Sequence, residues 1–187
     1  ADKHLNQPEI AAGHLETALK VSPDNYSALR IYRDKLRKLG RTEDCVAVLE
    51  KLAMLTNGGF ASEVYYELGR LNQDMGQNEA AAEAYESGRS EDPSHGPSFV
   101  ALEQLYRTTE SWAKLATLYT QEANRGDQGQ AEWWLLRAAR ASIRAGDRAA
   151  AMSAYKSATK KGTAAAHRAY QAFLTSEEDH AAVCKAI

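Results

Sequence analysis

The chain has 187 residues, is 44% hydrophobic and 8% aromatic, and carries a formal net charge of −2, enough for one sizeable core or for a run of short stacked units. Both signs of charge are spread along the chain, which argues against a basic nucleic-acid binder and against an acidic disordered tail. No apolar run approaches the roughly 20 residues a membrane span needs, and no basic-then-apolar leader opens the chain.

Alanine, the residue that costs least in a helix, is abundant and occurs in blocks at Ala80 to Ala82, Ala149 to Ala151 and Ala164 to Ala166. In chain order, Ala11, Leu15, Ala18 and Pro23 read as a helix and its closing proline. Leu29, Tyr32, Leu36, Gly40, Cys45, Leu49 and Leu52 read as a helix pair turning at Gly40 and followed by an extra Gly58-Gly59. The next stretch gives Tyr65, Leu68-Gly69, Asn72, Gly76, Ala81, Tyr85, Gly88 and Pro93. Small Gly69 and Ala81 suit a close helix crossing, Gly76 a turn, Tyr85 the filling of a gap, and Pro93 a helix stop. Phe99, Leu102, Tyr106, Leu115 and Tyr119 fall about 34 residues further on, with Trp112 opening the second helix. After two extra residues near Gly126 to Gly129 come Leu135, Ala138-Ala139, Gly146, Ala151, Tyr155 and Ala158. The end of the chain, Ala164 to Phe173 and Glu177 to Ala186, reads as one more helix pair with a shortened turn.

The segment Ser62 to His95 resembles one complete tetratricopeptide repeat, departing at Asn72, where an aromatic is usual. The resemblance extends over nearly the whole chain. It predicts a partial unit over 1–25, units of about 26–59, 62–95, 96–129 and 132–165, and a partial or degenerate unit over 166–187. It implies an all-α fold, a right-handed α-α superhelix of stacked antiparallel helix pairs forming a single solenoid domain. A solenoid needs polar caps, so a chain that starts and stops within the pattern is expected to be a segment of a longer protein or to dock through an open end. Ala1 in place of Met points to removal of a leader or upstream segment, which leaves the cytoplasm and the periplasm both open. The alanine-rich, cysteine-poor composition suggests a bacterial source. Cys45 and Cys184 are expected to be reduced and packed.

In the resembled family the first helix of each pair lines a concave groove for partner segments. Transferred slot by slot, the groove positions are Arg30, Arg37 and Lys38, then Tyr66, Arg70 and Gln73, then Gln104 and Arg107, then Trp133, Arg140 and Arg144, and finally Tyr170. Asp34, Glu63, Asp74, Val100, Thr108, Leu136, Ile143 and His167 share these faces. Arginine offers a planar fork for carboxylates, and Tyr or Trp a large contact area at low entropic cost. The expected function is therefore a non-catalytic protein-protein interaction scaffold gripping an acidic partner segment with apolar anchors. The plainer reading of the same arginines is ordinary solvated helix residues. The carboxylate clamp of family members that serve heat-shock chaperones is not reproduced, since its slots hold Arg30, Asp34, Glu67, Pro97 and Ala101.

No phosphate loop, paired-cysteine zinc spacing, His-Glu-x-x-His or Gly-x-Ser-x-Gly occurs, so no catalytic residue, metal or cofactor is expected. His4, His14, His95, His167 and His180 are scattered, and His180 with Cys184 supplies too few ligands for a metal. Glu177-Glu178-Asp179 and Glu43-Asp44 suit helix N-termini. Trp133 and Trp134, adjacent on a helix, point about 100° apart, so at most one can face a groove. Three other readings stay open: an RNA-binding helical repeat of the half-a-TPR kind, the docking or regulatory part of a larger enzyme, and self-association through open solenoid ends.

Overall fold

The computed structural model describes residues 7–125, 128–160 and 163–186, excluding the side chains of 128–129 and 177–186. His4 and the side chains of Glu177, Glu178, Asp179, His180 and Cys184 thus lie outside the described residues. All regular structure among the described residues is helical: α1 (Gln7–Val21), α2 (Tyr26–Leu39), α3 (Thr42–Met54), α4 (Gly58–Asp74) and α5 (Asn78–Glu91), then α6 (Gly96–Thr108), α7 (Trp112–Arg125), α8 (Gln128–Arg144), α9 (Arg148–Thr159) and α10 (Ala164–Ala186). No helix among these residues is long and apolar enough to cross a membrane.

The helix ends follow from local chemistry. Pro23 and Pro93 each stand two residues beyond a helix, where a residue without an N–H cannot continue it. Asn25 caps α2 by accepting the Ala28 N–H at 3.0 Å, and Asp147 caps α9 by accepting that of Ala150 at 2.8 Å. The turns α2–α3, α4–α5, α6–α7 and α8–α9 share one hydrogen-bond pattern. A left-handed residue is followed by one whose N–H returns to a carbonyl five residues back: Arg41 to Leu36, Gln77 to Asn72, Ser111 to Tyr106 and Asp147 to Ser142, at 2.8 to 3.0 Å. The left-handed residue is Gly40, Gly76 or Gly146 in three of them, with φ of 68° to 77°, and Glu110, with φ of 53°, in the other. Glutamate there accepts a strained backbone because the turn around it is set by the two helices.

Contacts divide the chain into two compact units, residues up to Leu102 and residues from Glu103 onwards, with the division running through α6. In the first, α1 packs on α2, α2 on α3, α3 on α4 and α4 on α5. Its core is built from Leu29, Tyr32, Leu36, Cys45, Leu49 and Leu52, with Val64 and Leu68 from α4. Leu36, Leu49 and Leu52 have no exposed surface, each contributing about 1.5–3 kcal/mol of apolar burial. Burial pushes the Cys45 thiol up to about 11, which removes it as a nucleophile near neutral pH. In the second unit α7 packs on α8, α8 on α9 and α9 on α10. Ala123, Leu135, Ala158 and Ala166 are buried together, with Trp134 and Leu136 against them.

The small residues of α4 and α5 lie where the helices cross. A Cβ added at Gly69 would stand 2.5 to 2.9 Å from three ring carbons of Tyr85. Across the same interface the Ser62 hydroxyl donates to the Gly88 carbonyl at 2.7 Å. The helix pair expected at the end of the chain is replaced by the single 23-residue helix α10. Neither Gly nor Pro occurs between Ala164 and Ala186, so no residue there breaks the backbone ladder.

Candidate functional site

Within the second unit, α6, α7 and α8 enclose an open cavity of about 370 Å³. One turn after another of α8 supplies its wall, through Trp133, Arg137, Arg140, Ala141 and Arg144, while α7 supplies Trp112, Leu115 and Tyr119 and α6 supplies Arg107. The α8 residues recur at intervals of three and four, which brings them to one helical face. Among the described residues that line it, four are arginines and none is a carboxylate.

The arginines differ in what they touch. Arg137 donates to the Glu103 carboxylate and, at 2.8 Å, to the Tyr119 hydroxyl, which in turn donates to Glu103 at 2.7 Å. Its guanidinium lies 4.6 Å from the Tyr119 ring centre and 4.5 Å from that of Trp133. Arg107 reaches Glu103 at 3.7 Å. Arg144 lies over Trp112 at 4.6 Å. No carboxylate among the described residues is in ion-pair range of Arg140 or Arg144. Trp133 is 51% exposed, while its neighbour Trp134 turns inward onto Tyr119 with ring centres 5.7 Å apart.

Burial and the hydrogen bond to Glu103 push the Tyr119 hydroxyl up to about 12, and burial alone dominates the same rise at Tyr85. Unfolding returns both to about 10, so their contribution to stability is whole below pH 10 and is lost as pH rises towards 12. The ultraviolet tyrosinate absorbance lost in a Tyr85→Phe, Tyr119→Phe double variant is expected to be the part that rises only between about pH 10 and 12, together with loss of helical circular dichroism. A difference that titrates near pH 10 with helix retained would contradict this.

A second cavity, of about 310 Å³, lies in the first unit between α2 and α4. Arg37, Tyr66 and Arg70 line it, together with Arg33 and the acids Glu63, Glu67 and Asp74. Arg33 and Arg37 both pair with Glu67, at 3.2 and 3.0 Å. Its charge is balanced within its own walls. Nearby, buried His95 shares a hydrogen bond with Ser98 at 2.8 Å and meets Glu63 at 3.3 Å, a packing role for this histidine.

The positions transferred along the sequence thus fall into three groups. Arg107, Trp133, Arg140 and Arg144 meet at the first cavity, and Arg37, Tyr66 and Arg70 at the second. Neither cavity includes the remaining five. Gln73 accepts the buried Tyr85 hydroxyl at 3.0 Å, and Tyr170 stacks on Tyr155 with ring centres 6.2 Å apart. Arg30 lies 5.7 Å from the Tyr26 ring centre, and Lys38 and Gln104 stand exposed on their helices. Sequence reasoning missed Arg137, Trp112, Tyr119 and the counter-ion Glu103. A signal for part of this exists: Glu103 and Arg137 are opposite charges 34 residues apart, one repeat period, as are Arg33 and Glu67.

Among the described residues no three of His, Cys, Asp and Glu are placed to hold a metal ion. A family model described as tetratricopeptide repeat matches residues 62–95. No curated protein matches the chain in sequence. Among solved structures, the chain is similar to the MamA protein, at 19% identity and a TM-score of 0.51, over 85% of each chain. It is also similar to a chain from the structure of Naa15/Naa10 bound to HypK-THB, at 17% identity and a TM-score of 0.57, over 86% of this chain and 24% of that one. At such identities these likenesses carry the fold.

Proposed function

We propose that this chain, an all-helical repeat fold whose residues 62–95 match the tetratricopeptide repeat, is a non-catalytic interaction scaffold that holds an acidic segment of a partner protein in the α6–α8 cavity. The observation that carries this reading is the cavity's lining: of its four arginines two, Arg140 and Arg144, have no carboxylate in ion-pair range among the described residues, and a half-exposed tryptophan stands beside them. Arginine forks bind carboxylates in two-point fashion, and a large exposed ring supplies the apolar anchor that makes such contacts worth their desolvation. The charge-balanced cavity between α2 and α4 has no comparable preference, so the acid-binding site is proposed in the second unit alone.

Charge reversal tests this. Arg107, Arg140 and Arg144 are exposed, so changing all three to Glu leaves the cores intact. In affinity capture from the native source, partners held by the natural chain are expected to be absent from the reversed one. Their direct binding to purified protein should weaken with rising salt. Partners retained equally by both would remove the cavity from the function. Guanidinium and indole groups side by side also suit stacked bases, so bound nucleic acid is quantified in the same capture. Nuclease-sensitive binding with a steep salt slope would put RNA in place of the acidic segment.

A further inference from the structure

Arg140 and Arg144, which have no carboxylate in ion-pair range among the described residues, set a spacing. Arg140 and Arg144 stand four residues apart on α8, hence on one face and about 6 Å apart along its axis. Arg137, beside them, is already engaged by Glu103 and Tyr119. Arg144 is held over Trp112, and a guanidinium stacked on a ring keeps its edge of N–H donors for a planar acceptor. Both therefore present unspent donors to the cavity.

An extended chain repeats its side chains on one face every second residue, about 6.6 to 6.8 Å apart. A helix repeats at a similar interval of about 6 Å, from one turn to the next, but is about 10–12 Å across with its side chains. A cavity of about 370 Å³ admits a few side chains of a passing strand and not such a cylinder. Resting on the function proposed above, we infer that α8 recognises an extended segment whose acidic side chains alternate, acid-x-acid, one for Arg140 and one for Arg144.

The test uses the 187-residue chain and short fluorescein-labelled peptides of equal charge, each with two glutamates in a Gly/Ser/Thr background. The glutamates are adjacent, alternate, three apart or four apart, and binding is read by fluorescence anisotropy at physiological ionic strength. The alternate peptide is expected to bind about tenfold more tightly than the others, the worth of one added charge-assisted contact. Arg140→Gln and Arg144→Gln, both at exposed positions, should each abolish that advantage while keeping the helical circular dichroism. Equal affinity for every spacing overturns the inference and leaves the acidic-segment function standing, as does a preference that survives both variants. Preference for the four-apart peptide overturns it in favour of a helical partner. Failure of every peptide to bind overturns both this inference and the function on which it rests.

Discussion

Gly69→Ala is expected to lower stability by about 1–3 kcal/mol, although alanine gains up to about 1 kcal/mol over glycine inside a helix. The opposing term is steric. The new methyl would stand 2.5, 2.6 and 2.9 Å from ring carbons of Tyr85, and the ring has no easy retreat. Tyr85 is 1% exposed, its hydroxyl donates to Gln73 at 3.0 Å, and its other neighbours include the ring of Tyr66 at 5.8 Å. Relief requires either separation of α4 from α5 or loss of that hydrogen bond. Gly13→Ala in α1 is the control, because a Cβ there meets nothing within 4 Å. It should be neutral or stabilising by up to about 1 kcal/mol. Urea unfolding of both variants checks the pair, and a Gly69→Ala protein as stable as its Gly13→Ala counterpart would refute the close crossing. Because Tyr66 lines the cavity between α2 and α4, the same clash should perturb that wall.

This contact also shows why the fold was legible. Gly69 and Tyr85 are 16 residues apart, yet each is small or large because the other is opposite, and spacing therefore reports packing. The same holds for Gly40, Gly76 and Gly146, whose left-handed backbones the sequence advertises. Glu110 advertises nothing; its turn forms because α6 and α7 impose it, a tertiary constraint invisible to local reading. The extra turn expected near the end of the chain came from extending a period where no breaking residue supports it, and α10 runs on. The lining of the α6–α8 cavity was legible to a lesser degree. Slot transfer along α8 finds Arg140 and Arg144 because they share a helical face with Trp133. It misses Arg137 and Tyr119, whose roles depend on Glu103 from α6. Gln73 and Tyr170, reached by the same transfer, have their polar or aromatic groups on Tyr85 and Tyr155.

Glu103 decides whether the α6–α8 cavity is held together by charge. Its carboxylate receives Arg137 and the Tyr119 hydroxyl and stands 3.7 Å from Arg107, and its side chain is only 17% exposed. Arg137, 24% exposed, is meanwhile stacked among Tyr119, Trp133 and Trp134. Removing one partner of such a pair leaves a partly desolvated charge uncompensated. A fully buried pair would lose about 3–5 kcal/mol; this partly exposed one should lose about 1–3 kcal/mol in Glu103→Gln. Glutamine keeps an acceptor for Tyr119, so the loss reports the ion pair more than the hydrogen bond. A double-mutant cycle with Arg137→Met separates them. If the two side chains act as a unit, the double variant is less destabilised than the sum of the singles by about 1 kcal/mol or more. Strict additivity would show that the contact contributes nothing. Binding should move the other way. Among the described residues Glu103 is the one carboxylate in ion-pair contact with the cavity's arginines, and its loss releases Arg137 toward an acidic ligand. Under the proposed function Glu103→Gln therefore binds the acid-x-acid peptide more tightly while folding less stably. A protein that loses stability and affinity together would instead make Glu103 a residue that positions Arg137 and Trp133 for the ligand. The direction of that one change distinguishes an internal counter-ion, traded against function, from a built part of the binding wall.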